Sequence, residues 1–134
     1  MRRQERELRE RARGVIERAG LTGLESRIAG TLGYAEQKLL TVARSMAMGA
    51  DVWLLDEPAS GIDGDALVQF ANLLRGLVDD GQTVLIVEHN LQLVRRVSDW
   101  VLFLDQGRLK AEGTPDEIFA NPELLEIYIG GGAS

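Results

Sequence analysis

Leu8, Ala12, Val15, Ile16 and Ala19 recur three and four residues apart, the spacing that puts side chains on one face of a helix. The pattern predicts an amphipathic helix over 3–19, closed by Gly20 as a left-handed cap. Residues 22–34 carry Gly23, Gly30 and Gly33 and read as a loop. Helical spacing resumes from Ala35 to Met48, with Leu39, Leu40, Val42, Ala43 and Met46 inward and Gly49 as the stop. Val52-Trp53-Leu54-Leu55 is wholly apolar, as suits a strand buried on both faces of a parallel sheet. A third helix is predicted over 65–79, with Leu67, Phe70, Ala71, Leu74 and Leu77 or Val78 inward. Its end at Asp79-Asp80-Gly81 sets two acids against the negative pole of the helix. Thr83–Val87 is a second buried strand, and 91–97 a short helix. Residues 100–104 and 108–111 read as a hairpin around Asp105-Gln106-Gly107. Two short helices follow, 115–120 and 122–129, the second opened by Asn121-Pro122. Residues 130–134, Gly-Gly-Gly-Ala-Ser, read as a flexible tail.

Alternating strands and helices predict a doubly wound α/β architecture. Composition adds exclusions. With 134 residues, 45% of them hydrophobic and 27% charged, the chain has the make-up of a folded domain. It has no cysteine, which excludes a disulfide scaffold and thiolate metal sites, and one histidine, which excludes a multi-histidine site. No apolar run approaches the roughly 20 residues that cross a bilayer, and the charged start lacks the apolar core of a secretory signal. The net charge of −6 and pI near 4.8 disfavour a nucleic-acid partner. Residues 1–34 hold eight Arg against five Glu, a local net of +3, so the remainder carries −9. That basic start reads as a solvated helix face, or as a contact for an acidic partner or a membrane surface.

In doubly wound sheets ligands sit beyond the carboxyl ends of the strands. Asp56-Glu57 and Glu88-His89 both follow apolar strands directly and fall at that rim. One carboxylate there can hold Mg²⁺, usually through water, and a neighbour can polarise an attacking water. A histidine can touch a transferred phosphate. Taken singly, each has a plainer reading. Asp-Glu-Pro also makes a polar turn, a histidine at a strand end is also a surface residue, and Gly33-Tyr34-Ala35 also makes an ordinary helix start.

Taken in order and spacing, they carry more. Leu32-Gly33-Tyr34-Ala35-Glu36-Gln37 precedes a helix with Ala43-Arg44. A strand ending in Leu54-Leu55-Asp56-Glu57-Pro58 follows, then Ser60-Gly61-Ile62-Asp63, then Val87-Glu88-His89-Asn90. From about residue 10 to 130 the chain resembles the C-terminal half of an ABC transporter ATP-binding subunit. Glu88-His89-Asn90, Tyr34 within the signature, and the ending with Gly113-Thr114-Pro115 and Asn121-Pro122-Glu123 resemble the subunits of branched-chain amino acid importers. Urea importers have similar subunits.

The resemblance implies a P-loop NTPase-type partial sheet with a helical signature subdomain, the N-terminal phosphate-loop half being absent. It divides the chain into a helical subdomain at 1–48, part of the ATPase α/β core at 49–129, and the tail at 130–134. It makes Asp56 the Mg²⁺-coordinating acid, Glu57 the general base and His89 the switch histidine near the γ-phosphate. Residues Leu32, Gly33, Tyr34, Ala35, Glu36 and Gln37 form the signature that covers a nucleotide held by a second ATP-binding subunit; Ser60, Gly61 and Asp63 communicate across that dimer. ATP and Mg²⁺ are the implied cofactors, expected only with the missing half. The implied partners are transmembrane permease subunits and the second ATP-binding subunit, at the cytoplasmic face of the cell membrane.

Two departures stand out. The family places Ser and Gly where this chain has Gly33, Tyr34 and Ala35, which removes a hydroxyl and adds a methyl. The sequence also holds no G-x-x-x-x-G-K-[ST] phosphate loop; its lysines are Lys38 and Lys110, and neither follows a glycine. Without the strands that the other half supplies, apolar sheet faces and edges are expected to lie open. Two functions follow from the resemblance. One is the ATP-hydrolysing component of an importer; the alternative is a non-catalytic module that binds a permease or an intact ATPase subunit.

Overall fold

The computed structural model describes residues 2–131. They form two compact units, one ending at Glu88 and one beginning at His89. The boundary expected between 48 and 49 lies inside the first unit, between its second helix and its first strand.

The first unit begins with helix α1, Arg2–Arg18. It ends in a paired hydrogen-bond cap: Gly20 N–H donates to Glu17 O at 3.0 Å and Leu21 N–H to Ile16 O at 3.0 Å, with Gly20 at φ +72. A glycine takes that left-handed backbone without a Cβ penalty, and the buried Leu21 completes the motif. The apolar stripe expected along the whole helix is covered only at this end. Ala19 is buried and Val15 and Ile16 are half-buried, but Ala12 is exposed and Leu8 is 63% exposed. Between Arg2 and Gly14 only Leu8 and Ala12 are apolar, too little surface to hold three charged turns against a core. Pairs four residues apart support those turns instead, Arg3–Glu7 at 3.3 Å and Arg9–Glu5 at 2.9 Å.

Helix α2, Tyr34–Ala47, packs against α1 and buries Leu39, Val42 and Ala43. Leu40 and Met46 are half-buried rather than inward. Strand β1, Val52–Asp56, pairs in parallel with β2, Thr83–Val87, so that Trp53 faces Val84 and Leu55 faces Ile86. Helix α3, Gly64–Asp79, connects them and packs on β2, burying Leu67, Phe70, Ala71, Leu73, Leu74 and Leu77. The two acids at its end are each paired with an arginine, one from α1 and one from the preceding turn of α3. Arg18 pairs with Asp80 and donates to Gly76 O at 3.0 Å, while Arg75 pairs with Asp79 at 3.4 Å.

Burial of the strands on both faces is not what forms. Trp53 is buried, but Val52, Leu54, Leu85 and Val87 are 62%, 73%, 58% and 60% exposed. Side chains alternate along a strand, so these four share one face, and no element among the described residues covers it. That agrees with the open apolar face expected above.

The second unit holds α4 (Leu91–Val97), β3 (Val101–Asp105), β4 (Arg108–Gly113), α5 (Pro115–Phe119) and α6 (Pro122–Gly131). β3 does not join the parallel sheet; it pairs antiparallel with β4. Gln106 and Gly107 both have positive φ, +48 and +75, as a two-residue hairpin turn of matching twist requires. α5 packs on both strands and on α4. Gly130 and Gly131, expected to open the tail, are instead the last residues of α6; 132–134 lie outside the described residues. Among the described residues no helix is long and apolar enough to cross a membrane.

Candidate functional site

The ends of β1 and β2 place the acids. Parallel pairing sets Asp56 opposite Val87, and the ladder runs one step further because Glu57 N–H donates to Val87 O at 2.8 Å. Both carboxylate residues are exposed at the carboxyl end of the sheet. Glu57 sits at φ +44, a region that side-chain-bearing residues rarely occupy and that persists only when the surroundings over-determine it. The surroundings do so. Glu57 O accepts Ser60 N–H at 3.2 Å, and Ala59 O accepts Ile62 N–H at 3.0 Å, with Ala59 and Ile62 buried. The chain therefore turns sharply over 57–62 before Asp63 opens α3. Asp63 is exposed and makes no side-chain cap; its carbonyl accepts Leu67 N–H at 3.1 Å.

The segment 32–37 opens α2. Leu32 is buried and anchors it, and Gln37 returns its side-chain amide to Leu32 O at 3.0 Å. Gly33 N–H donates to Glu36 Oε2 at 2.7 Å, so the positive end of α2 already carries a carboxylate from its own first turn. Ala35 and Glu36 are half-buried.

Two residues bring these segments together. Tyr34, exposed at its ring, donates its hydroxyl to Ser60 O at 3.0 Å, joining the start of α2 to the turn after β1. Lys38 Nζ lies 5.4 Å from the centre of the Tyr34 ring, within cation–π range. Gly61, at φ +78, lies beneath that ring: a Cβ built there comes 2.9 Å from Tyr34 Cε1. On the other side, Glu88 Oε1 accepts Ala59 N–H at 2.9 Å. Thus Tyr34, Ser60 and Gly61 meet, and Glu88 holds Ala59. His89 is the exposed first residue of the second unit, followed by Asn90, whose side chain caps α4 by accepting Leu93 N–H at 3.1 Å.

Sequence reasoning did not find the joining roles of Tyr34 and Glu88. Tyr34 could be seen only as an aromatic at a helix start, and Glu88 as an acid after a strand. Their partners lie 26 and 29 residues away, beyond the reach of local pattern.

The site can offer a magnesium ion one strand-end carboxylate, Asp56, with Glu57 beside it. Among the described residues no group of three or more His, Cys, Asp or Glu gathers around a common point. That donor set fits Mg²⁺, which takes one or two carboxylates and fills its shell with water and phosphate oxygens.

No family model matches the chain. It is 38% identical over 130 residues to the high-affinity branched-chain amino acid transport ATP-binding protein BraF of Pseudomonas aeruginosa, covering 96% of this chain and 51% of that protein. It is 31% identical over 127 residues to the glutamine transport ATP-binding protein GlnQ of Geobacillus stearothermophilus, covering 93% and 52%. Among solved structures, the ADP conformation of MJ1267, an ATP-binding cassette of an ABC transporter, superposes with a TM-score of 0.82 at 30% identity, over 92% of this chain and 50% of that one. The chain spans about half the length of the curated relatives it matches.

Proposed function

We propose, from the premise that this chain is homologous to the ATP-binding proteins of ABC transporters, that it supplies the hydrolytic strand ends and the signature segment of an importer ATPase. The observation that carries this reading is the junction at the end of the parallel pair. There the Asp56-Glu57 rim, the turn 60–63 and the segment 32–37 are tied into one surface by the Tyr34–Ser60 hydrogen bond.

In this reading Asp56 would hold Mg²⁺ through water, Glu57 would serve as the general base for an attacking water, and His89 would contact the γ-phosphate. Residues 32–37 close over a nucleotide on a second ATP-binding subunit, and Ser60, Gly61 and Asp63 signal across that dimer. ATP, when bound, supplies the phosphoanhydride bond; the chain's own contribution is positioning and charge stabilisation rather than covalent chemistry. The phosphate cradle comes from a polypeptide segment carrying a G-x-x-x-x-G-K-[ST] loop, which this sequence does not contain. The working partners are that segment, a second ATP-binding subunit and transmembrane permease subunits, which hold the protein at the inner face of the membrane. The cargo is a branched-chain amino acid. That finer assignment rests on the likeness of Glu88-His89-Asn90, of Tyr34 within the signature and of the ending with Gly113-Thr114-Pro115 and Asn121-Pro122-Glu123, and on the 38% identity to BraF.

The test is calorimetry and phosphate release with Mg-ATP. The folded chain alone is expected to bind weakly or not at all. Supplied with the phosphate-loop segment it binds and turns over, and Glu57→Gln abolishes turnover while binding persists. Undiminished turnover in Glu57→Gln removes that residue from the role of base, and near-normal rates in His89→Ala return the histidine to the surface. One observation favours a second reading, a non-catalytic module that binds a permease or an intact ATPase subunit. The Glu36 carboxylate already occupies the Gly33 N–H at the head of α2, where a phosphate would have to approach. Under that reading Glu57→Gln captures a permease as well as the native chain does, and no combination of segments restores turnover.

A further inference from the structure

The turn after β1 is held at adjacent residues by two side chains that are remote in sequence. Glu88, leaving β2, accepts the N–H of Ala59 at 2.9 Å. Tyr34, entering α2, donates to the carbonyl of Ser60 at 3.0 Å. Just before the two gripped residues lies a backbone that needs holding. Glu57 stands at φ +44, and its N–H and C=O are engaged by Val87 and Ser60. A glutamate has no steric preference for that region, so the conformation must be imposed by its neighbours. The imposed geometry matters because it sets the direction in which the Glu57 side chain leaves the strand end.

We infer that Tyr34 and Glu88 are positioning residues that clamp the turn 57–62 and fix the backbone of Glu57. The inference rests on the reading above for the purpose of the clamp, but not for its existence. The clamp also makes the start of α2 and the strand-end acids one mechanical piece. The Tyr34 ring covers Gly61, which must be glycine twice over: its φ is +78 and a Cβ would come 2.9 Å from the ring. Lys38 above the ring, 5.4 Å from its centre, keeps the tyrosine over the turn. A movement of the segment 32–37 is thus transmitted through one hydroxyl to the carbonyl next to Glu57's own hydrogen-bonded turn.

Amide hydrogen exchange on the full 134-residue chain, without nucleotide, tests this directly. Tyr34→Phe keeps the ring and removes only the hydroxyl; Ser60 and Ile62 N–H are expected to exchange about fivefold faster, the worth of one net hydrogen bond. Glu88→Ala is expected to expose Ala59 N–H to a similar or larger degree, and Glu88→Gln, which keeps an acceptor oxygen, to restore its protection. Leu74 and Leu77 N–H, in the core of α3, are expected to hold their native rates in all three variants. Unchanged exchange over 59–62 in Tyr34→Phe or in Glu88→Ala overturns the assignment. So does acceleration that spreads equally to Leu74 and Leu77, because the side chains would then act on global stability and not on this turn. Because no nucleotide is present, the result is separate from whether Glu57 is a catalytic base, which phosphate release decides.

Discussion

The described residues contain two two-stranded sheets, each backed by a helix on one face and open on the other, but the strands beneath the open faces pair differently. On the antiparallel pair the open side carries Leu102 and Leu104 opposite Glu112 and Leu109. On the parallel pair it carries Val52, Leu54, Leu85 and Val87, relieved only by Thr83 and Asp56. Antiparallel sheets commonly keep one face in water, whereas parallel sheets are found covered on both. The hairpin's open face is about as apolar, with Leu102, Leu104 and Leu109 53%, 66% and 54% exposed and only Glu112 polar, but antiparallel pairing does not by itself call for a second cover. The β1–β2 face is an interior surface with its cover missing among the described residues. One face of β1–β2 shows what the sequence is built to do there, because Trp53 on the other side is buried against the α3 side of the sheet and donates Nε1–H to Gln82 Oε1 at 2.8 Å.

The sharpest test of this contrast sets the two faces against each other in stability. Leu77→Ala and Phe70→Ala empty the fully buried side of α3, and each is expected to cost about 2–5 kcal/mol in denaturant unfolding. Leu54→Thr, on the open face, keeps a strand-forming residue and removes only exposed surface, so its cost should stay within about 0.5 kcal/mol. Measured at dilutions where the chain is monomeric, comparable losses at Leu54 and Leu77 would show that the open face is covered within the monomer. Trp53→Phe falls between: it keeps the ring in the core and deletes one half-buried hydrogen bond, for about 1 kcal/mol.

The open face makes a second kind of prediction. An apolar patch on a two-stranded sheet with two free edges favours self-association. Sedimentation of the native chain should show dimers or larger species, and Leu54→Thr combined with Leu85→Thr should shift them towards monomer, while the unfolding free energy compared at dilutions where both chains are monomeric stays within about 0.5 kcal/mol. A monomeric native chain that binds little hydrophobic dye would break the comparison at its root.

How much of this was legible follows from which interactions are local. Most buried positions of α3, Leu73 excepted, could be read from helical spacing and the existence of the parallel strands from unbroken apolar runs, because each depends on residues within one turn or one strand. The hairpin could be read from Gln106-Gly107, a turn whose chemistry is complete in two residues. The bare first half of α1 could not, since spacing shows where a helix is apolar but not whether anything arrives to cover it. The same limit hid the open face of β1–β2: a wholly apolar strand states a need for cover, not its supply. At the candidate site, the order of motifs marked Asp56, Glu57 and the segment 32–37. The grips of Tyr34 and Glu88 became visible only once residues 26 and 29 positions apart were brought within hydrogen-bond distance.

The smallest expected effect concerns the helix behind the hairpin. α5 starts in a reciprocal cap: Thr114 N–H donates to Glu117 Oε2 at 2.8 Å, Thr114 Oγ1 lies 2.9 Å from the same oxygen, and Glu117 N–H returns to Thr114 Oγ1 at 3.4 Å. The backbone N–H of Thr114, and after it the hydroxyl, hold the Glu117 carboxyl below its usual value of 4.5. A carboxylate whose folded value lies below its unfolded one adds stability above the unfolded value and loses it as pH falls through the folded one. The group is fully exposed, so the effect is local: α5 should loosen from β3 and β4 only in acid below pH 4.5, with the Thr114 amide resonance titrating in step. Thr114→Ala should move the Glu117 titration back towards 4.5 and leave the β1–β2 amides untouched. A Thr114 amide that titrates at 4.5 or above in the native chain would mean that the cap does not hold this carboxylate, and that the helix-backed face of the hairpin is kept by apolar packing alone.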